Sequence, residues 1–225
     1  MTATTFRSKK HLGSNLYTFT FDIPWHDLEF QAGEFIQLKI EHDNPDDRGD
    51  KRWFTVSNVW TDIRIEITTR YFGDKTSTFK KALFNLKKGD IVHFSDPMGD
   101  FVLPKDKKLR LLFVAGGIGI TPYMAMLKYM KGFDDIRHSK LIWKLNSLED
   151  KFEIPEAPKK VEQLVITDKD LFTPEYIFEQ FKDFNADRIY IAGPEPMVEI
   201  FNNGLQKLGI PKRSINTDFF PGYKN

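Results

Sequence analysis

The stretch LRLLFVAGGIGITPYMAMLKYMK, residues 109–131, constrains the fold of this chain more than any other. Its apolarity suggests a membrane span. A span needs about 20 consecutive apolar residues in one helix, whereas Gly116, Gly117, Gly119 and Pro122 interrupt this one. Glycine and proline in mid-helix oppose a continuous helix. The stretch therefore divides into a strand, a tight turn and a helix. LRLLFVA is apolar throughout, as a strand buried on both faces must be. GGIG forms the turn, Thr121 is the expected N-cap, and Pro122 suits the first helical position. The helix is expected to end near Gly132.

The same alternation continues downstream. SKLIWKL, EQLVITD and RIYIAG read as apolar strands, separated by helices opening at Thr173-Pro174 and running from about Met197 to Leu208. Strands alternating with helices predict a doubly wound parallel sheet whose ligands lie beyond the strands' C-terminal ends. AGGIGITP and IAGPEPM both fall at such ends. Upstream, the period is two. NLYTFTFDI places Tyr17, Phe19, Phe21 and Ile23 at alternate positions, FIQLKI does so with Ile36, Leu38 and Ile40, and IRIEITTR with Ile63, Ile65 and Ile67. Half-buried antiparallel strands follow. NPDDRGDK (44–51) reads as a loop, and Ser77 or Thr78 opens a short helix stopped by Gly89. The expected organisation is an antiparallel β-barrel over residues 1–106 and an α/β unit over 107–225.

Composition excludes several chemistries. The chain has 225 residues, enough for two cores, and no cysteine. Thiolate metal sites, Cys-ligated clusters and cysteine nucleophiles are therefore absent from it. The five histidines are scattered, so no metal site is expected. A net charge of +1 gives no bulk attraction to nucleic acid or anionic lipid. The segment MTATTFRSKKHLG has no apolar core of a signal peptide, which makes a cytoplasmic location the default expectation.

Two constellations carry chemistry. Glycines after a strand allow close backbone approach, and the helix that follows offers N–H groups and a positive dipole end to a phosphate. A tight turn without ligand fits these glycines equally well. RWFTVSN (52–58) supplies a guanidinium for bidentate phosphate binding, a flat ring and a hydroxyl. An ordinary strand with a surface arginine also accounts for it.

Taken in order, these stretches resemble the ferredoxin–NADP reductase superfamily. The flavin motif Arg-x-aromatic-Ser/Thr is Arg52-Trp53-Phe54-Thr55. TTRYFGDKTSTFKKAL (68–83) is similar to the flavin-phosphate segment, and GDIVHFSDPMGDFVLP (89–104) to the strand and turn that close the barrel. GGIGITP (116–122), AGPEPMV (192–198) and DFFPGY (218–223) resemble the three later motifs. The resemblance spans nearly the whole chain. It implies an N-terminal Greek-key barrel carrying FAD, rather than FMN, and a C-terminal unit taking NADH or NADPH. Arg52 would hold the flavin phosphate, Phe54 would lie against the ring, and Thr55 would hydrogen-bond flavin N5. Trp53, Thr68, Thr69, Arg70, Lys75, Ser77 and Thr78 complete the implied flavin set. Gly117, Gly119, Thr121 and Pro122 would bind the dinucleotide, while Gly193, Pro194 and Met197 shape the nicotinamide pocket. Asp218, Phe219 and Phe220 would approach the other face of the flavin, with Thr55, Asp218 and Phe219 as the catalytic set.

The chain departs from the family pattern in carrying Phe54 for tyrosine, Ala192 for a frequent cysteine, and Lys224 and Asn225 after the last aromatic residue. The implied function is hydride transfer from NAD(P)H to FAD, with electrons passed to a separate acceptor such as a ferredoxin, a flavodoxin, free flavin or a ferric chelate. The alternatives are an electron-transfer subunit of a larger redox complex and a non-catalytic flavin- or nucleotide-binding sensor. After the second strand of the α/β unit, IWKLNSLEDK (142–151) offers Lys144, Asn146 and Ser147 but no arginine for a 2′-phosphate, which favours NADH.

Overall fold

Period-two patterning and continuous apolar runs resolve into two sheets of different kind. The structure, a computed structural model, describes residues 1–23, 29–47, 49–152, 154, 158 and 160–220; the side chains of Lys75 and Phe220 are outside that description. Two compact units divide the chain, Met1–Val102 and Leu103–Asn225.

In the first unit the strands are β1 (Thr2–Gly13), β2 (Leu16–Asp22), β3 (Phe35–Lys39), β4 (Lys51–Thr55), β5 (Arg64–Arg70) and β6 (Ile91–Phe94), with one helix, α1 (Thr78–Asn85). They pair antiparallel in the order β4-β3-β6-β1-β2-β5, and a bridge between Val56 and Ile67 links the two ends into a barrel-like sheet. Ile36, Leu38 and Ile40 point inward as their alternation requires, with Phe19, Phe21, Phe54 and Phe94 beside them. Phe79 and Leu83 of α1 join this core.

The sequence misplaced two features here. Ile63 does not share a face with Ile65 and Ile67. It is 68% exposed and left-handed (φ 56°), because a 3-10 turn at Trp60–Asp62 ends there and the strand starts one residue later. The fully buried Asn58 fixes that turn. Its amide donates to Asp62 and to the Arg64 carbonyl, and its own oxygen accepts from Glu66 N–H at 2.8 Å. The short helix α1 ends at Asn85, before Gly89, and Ser77 is its N-cap, accepting from Lys80 N–H.

In the second unit, β7 (Leu111–Gly116), β8 (Ser139–Lys144), β9 (Glu162–Ile166), β10 (Arg188–Pro194) and β11 (Ile215–Phe220) form a parallel sheet in the order β11-β10-β7-β8-β9. Every residue of β7, the central strand, is buried, which explains its unbroken apolarity. The helices are α2 (Thr121–Gly132), α3 (Pro174–Asp183) and α4 (Glu195–Lys207). Thr173 caps α3 through Tyr176 N–H at 3.2 Å. Thr121 is not the N-cap expected of it. A 3-10 turn over Gly117–Ile120 precedes it, so Thr121 is already helical and its hydroxyl donates back to the Ile118 carbonyl at 3.2 Å. Among the described residues no helix is long and apolar enough to cross a membrane.

The ion pair of Arg137 with Asp135 in this unit is buried. The Arg137 guanidinium grips the Asp135 carboxylate through Nε (2.9 Å) and Nη2 (2.6 Å), and Nη2 also donates to the Pro104 carbonyl at 3.1 Å. Burial alone would raise the Asp135 carboxyl; the hydrogen bonds and charge of Arg137 outweigh it and hold the group below its ordinary range.

Candidate functional site

In the first unit the motif arginine meets the start of α1. Arg52 and Phe54 face inward with their cross-strand partners Leu38 and Ile36, as a period of two demands. The Arg52 guanidinium lies over the Phe79 ring, 5.1 Å from its centroid. Asp46 joins the two elements: its carboxylate accepts from Arg52 Nη2 at 2.7 Å, and its backbone N–H donates to Thr78 Oγ1 at 2.9 Å. Arg52 also donates to the carbonyls of Gly49 and Lys51. A fixed cation and the first turn of a helix, both anion-binding features, are thus brought together with Ser77 and Thr78. The linking Asp46, in the loop 44–51, went unnamed in the sequence. Its only signal was an acid in a loop just before the motif.

The remaining residues of this unit are distributed as follows. Phe54 is 8% exposed and packs against Phe79, with ring centroids 6.0 Å apart. Trp53 points the other way, 49% exposed, edge-on to Phe35. Thr55 is buried beyond them. Thr68 and Thr69 are also buried; the Thr68 hydroxyl bonds to Thr18 at 2.8 Å and to Ser57 at 3.1 Å, in a chain of buried hydroxyls on the sheet face opposite Phe19 and Ile67. Arg70 ends β5, and its carbonyl accepts from Lys80 of α1. The Lys75 side chain lies outside the described residues.

In the second unit the implied residues gather at one edge of the sheet, the C-terminal ends of its strands. Gly116 ends β7, while Gly193 and Pro194 end β10 and lead into α4. Parallel register sets Asp218 beside Ala192 and Phe219 beside Gly193. Phe219 is half exposed, and the charge of Asp218 reaches the buried Tyr123. Burial, before that charge, pushes the Tyr123 phenol well above its ordinary value; it stays neutral and donates to the Val114 carbonyl at 3.1 Å. The side chain of Phe220 and the tail 221–225 lie outside the described residues.

Steric room explains the glycines. A Cβ on Gly119 would overlap the Ala192 carbonyl, and one on Gly116 or Gly193 would run into the Met197 thioether. Met197 is therefore a wedge between the two glycine-bearing strand ends. Gly117 is glycine for a different reason, its left-handed φ of 55°. Its carbonyl accepts a hydrogen bond from the indole N–H of Trp143 on β8 at 2.9 Å, a contact no sequence motif signals. Pro122 is buried behind this turn. Among the described residues no group of three or more His, Asp or Glu could hold a metal ion.

No family model matches the chain. It is 28% identical to flavohemoprotein B of Dictyostelium discoideum over 60% of its own length, and it spans little more than a third (36%) of that protein. A probable electron transfer subunit of dihydroorotate dehydrogenase B (NAD+) from Thermococcus kodakarensis is 29% identical, over 76% of this chain and 67% of that protein. Among solved structures, the cytochrome P450 reductase GcoB of Amycolatopsis superimposes with a TM-score of 0.78 at 18% identity, covering 98% of this chain and 69% of that one. Ferredoxin–NADP+ reductase from Plasmodium falciparum gives 0.76 at 14% identity, covering 97% and 95%. At these identities the likeness is one of fold: the chain has the two-unit fold of these solved structures.

Proposed function

We propose that this chain is a flavin-dependent oxidoreductase: it takes hydride from a reduced nicotinamide nucleotide onto FAD and passes electrons to a separate acceptor. The observation that carries this reading is the convergence of Arg52 with Ser77 and Thr78 at the start of α1, linked through Asp46. Residues 1–106 are proposed to hold the flavin and residues 107–225 the nucleotide.

The donor set fits a flavin phosphate. Arg52 supplies a planar cation and α1 a helix N-terminus, which together match a phosphate better than a neutral ligand. Asp46 is an unfavourable group beside them, and an incoming phosphate competes with it for Arg52. A bound flavin supplies the hydride-accepting and electron-releasing chemistry. This chain's own residues bind, orient and exclude water: Thr55 is proposed to hydrogen-bond flavin N5, and the barrel's ring-lined interior backs the motif strand. At the second unit, Gly117 and Ile118 open a helical turn whose first N–H groups have no partner within the helix, the backbone feature that receives a pyrophosphate.

NADH is the proposed electron donor. Lys144, the nearest cation after the second strand, is engaged by two backbone carbonyls, Leu145 at 2.6 Å and Thr167 at 2.9 Å. The Ser147 hydroxyl accepts from Glu149 N–H and brings two acids, Glu149 and Asp150, into the same turn. Neither arrangement welcomes an added 2′-phosphate.

The likeness to a dihydroorotate dehydrogenase electron transfer subunit favours the variant in which the acceptor is a partner subunit. The purified protein is expected to bind FAD and show a flavin spectrum that NADH bleaches anaerobically, with a higher kcat/KM for NADH than for NADPH. A protein that takes up neither FAD nor FMN refutes the reading.

A further inference from the structure

The turn that would receive the pyrophosphate has a weakness in its own backbone. Gly117 sits at φ 55°, and a residue without a Cβ is free to adopt other conformations at little steric cost. The peptide joining Gly117 to Ile118 could rotate and present its carbonyl, a negative dipole end, where an anion needs an N–H. The structure holds this peptide from one side. Trp143, 2% exposed, donates its indole N–H to the Gly117 carbonyl at 2.9 Å. Trp143 comes from the neighbouring strand: it pairs with Ala115 of β7, just before the glycine turn. Its ring is itself fixed edge-on against Phe152, with centroids 5.1 Å apart.

We propose that Trp143 is a positioning residue for the nucleotide's pyrophosphate. In a trans peptide the C=O and the following N–H point in opposite directions. Trp143 draws the Gly117 carbonyl into the protein, so the Ile118 N–H turns outward from it. The indole thereby removes a repelling carbonyl from the anion's place and supplies a donor there, without touching the ligand. A tryptophan N–H can only donate, so the side chain cannot stabilise the flipped peptide. This proposal rests on the nucleotide-binding reading above.

The experiment is titration calorimetry of ADP-ribose and NAD+ against the FAD-loaded protein and two variants. Trp143→Phe keeps the ring and removes the donor. Phe152→Leu loosens the ring's packing and leaves the donor. Trp143→Phe is expected to raise both dissociation constants by about 5- to 150-fold, the range for a buried carbonyl left without its partner. Its KM for NADH should rise while kcat at saturation holds, and the Ile118 amide should exchange faster with solvent while the amides of α2 do not. Phe152→Leu should weaken affinity and speed Ile118 exchange by much less than Trp143→Phe. Unchanged affinity in Trp143→Phe overturns the role of Trp143 alone. Equal weakening by Phe152→Leu also overturns it, because packing would then be the cause. A wild-type protein that binds neither ligand overturns the nucleotide reading and this proposal with it.

Discussion

Thr55 occupies the last position of β4, where the strand gives way to the bridge between Val56 and Ile67. The residue is only 4% exposed. Thr55→Ala is expected to slow anaerobic reduction of bound flavin by NADH about tenfold, the effect of one lost hydrogen bond worth about 1.4 kcal/mol. Flavin affinity should not change. Stopped-flow kinetics with wild-type rates in this variant would remove Thr55 from flavin N5. At this scale the sequence was legible where a residue type implies its own chemistry. Arg52, Ser77 and Thr78 could be named from the sequence, and the structure does bring them together. Asp46 and Trp143 could not, because each acts through a partner distant in sequence: Asp46 on Thr78, Trp143 on Gly117. Spacing along a chain carries no signal for such a pair.

The strand–turn–helix from Leu111 to Gly132 was readable as an element. Its polar termini and apolar body name its parts, and its glycines mark the turn. What misled was the N-cap. Thr121-Pro122 has the composition of a helix start, yet the backbone begins to coil four residues earlier at Gly117. Glycine's low helix propensity hides a 3-10 turn that tertiary packing enforces. The strand β11 was missed outright, since INTDFF has little alternation and shows itself only by pairing with β10. The three close-packed glycines also mean more than a phosphate motif suggests. Gly119→Ala would drive a methyl into the Ala192 carbonyl, a backbone atom that cannot swing aside. It should destabilise the second unit by about 3 kcal/mol, at the upper end for overpacking, and weaken nucleotide binding. Gly132→Ala, at the end of α2 with nothing within 4 Å of the new methyl, should stay within about 1 kcal/mol of wild type. Thermal unfolding of the two variants compares them directly; equal stability would contradict the packing account.

At the scale of the molecule, acid sensitivity should centre on the second unit. The folded state holds the Asp135 carboxyl below its ordinary value. The unfolded state binds that proton more readily, so the stabilisation is complete above about pH 4, the unfolded carboxylate value, and is lost as pH falls through the depressed folded one. Arg137→Met, which strands a buried carboxylate, should cost about 3–5 kcal/mol at neutral pH. Asp135→Leu combined with Arg137→Met should recover much of that loss and flatten the acid limb of the stability curve. Urea titrations from pH 3 to pH 7 read both effects. A double variant no more stable than Arg137→Met would show that the pair's geometry, not its stranded charge, sets the cost.

The strand order of the parallel sheet also has a consequence for synthesis. The ribosome releases β7, β8, β9, β10 and β11 in turn, yet the finished sheet runs β11-β10-β7-β8-β9. Growth proceeds outward from β7 in one direction, then returns to its other flank. The glycine turn, α2 and the Trp143 clamp can therefore form while the flank bearing Asp218 and Phe219 has yet to emerge. A nascent chain paused after β9 would lack both strands of that flank, and with them the strand ends that carry Gly193, Pro194, Asp218 and Phe219.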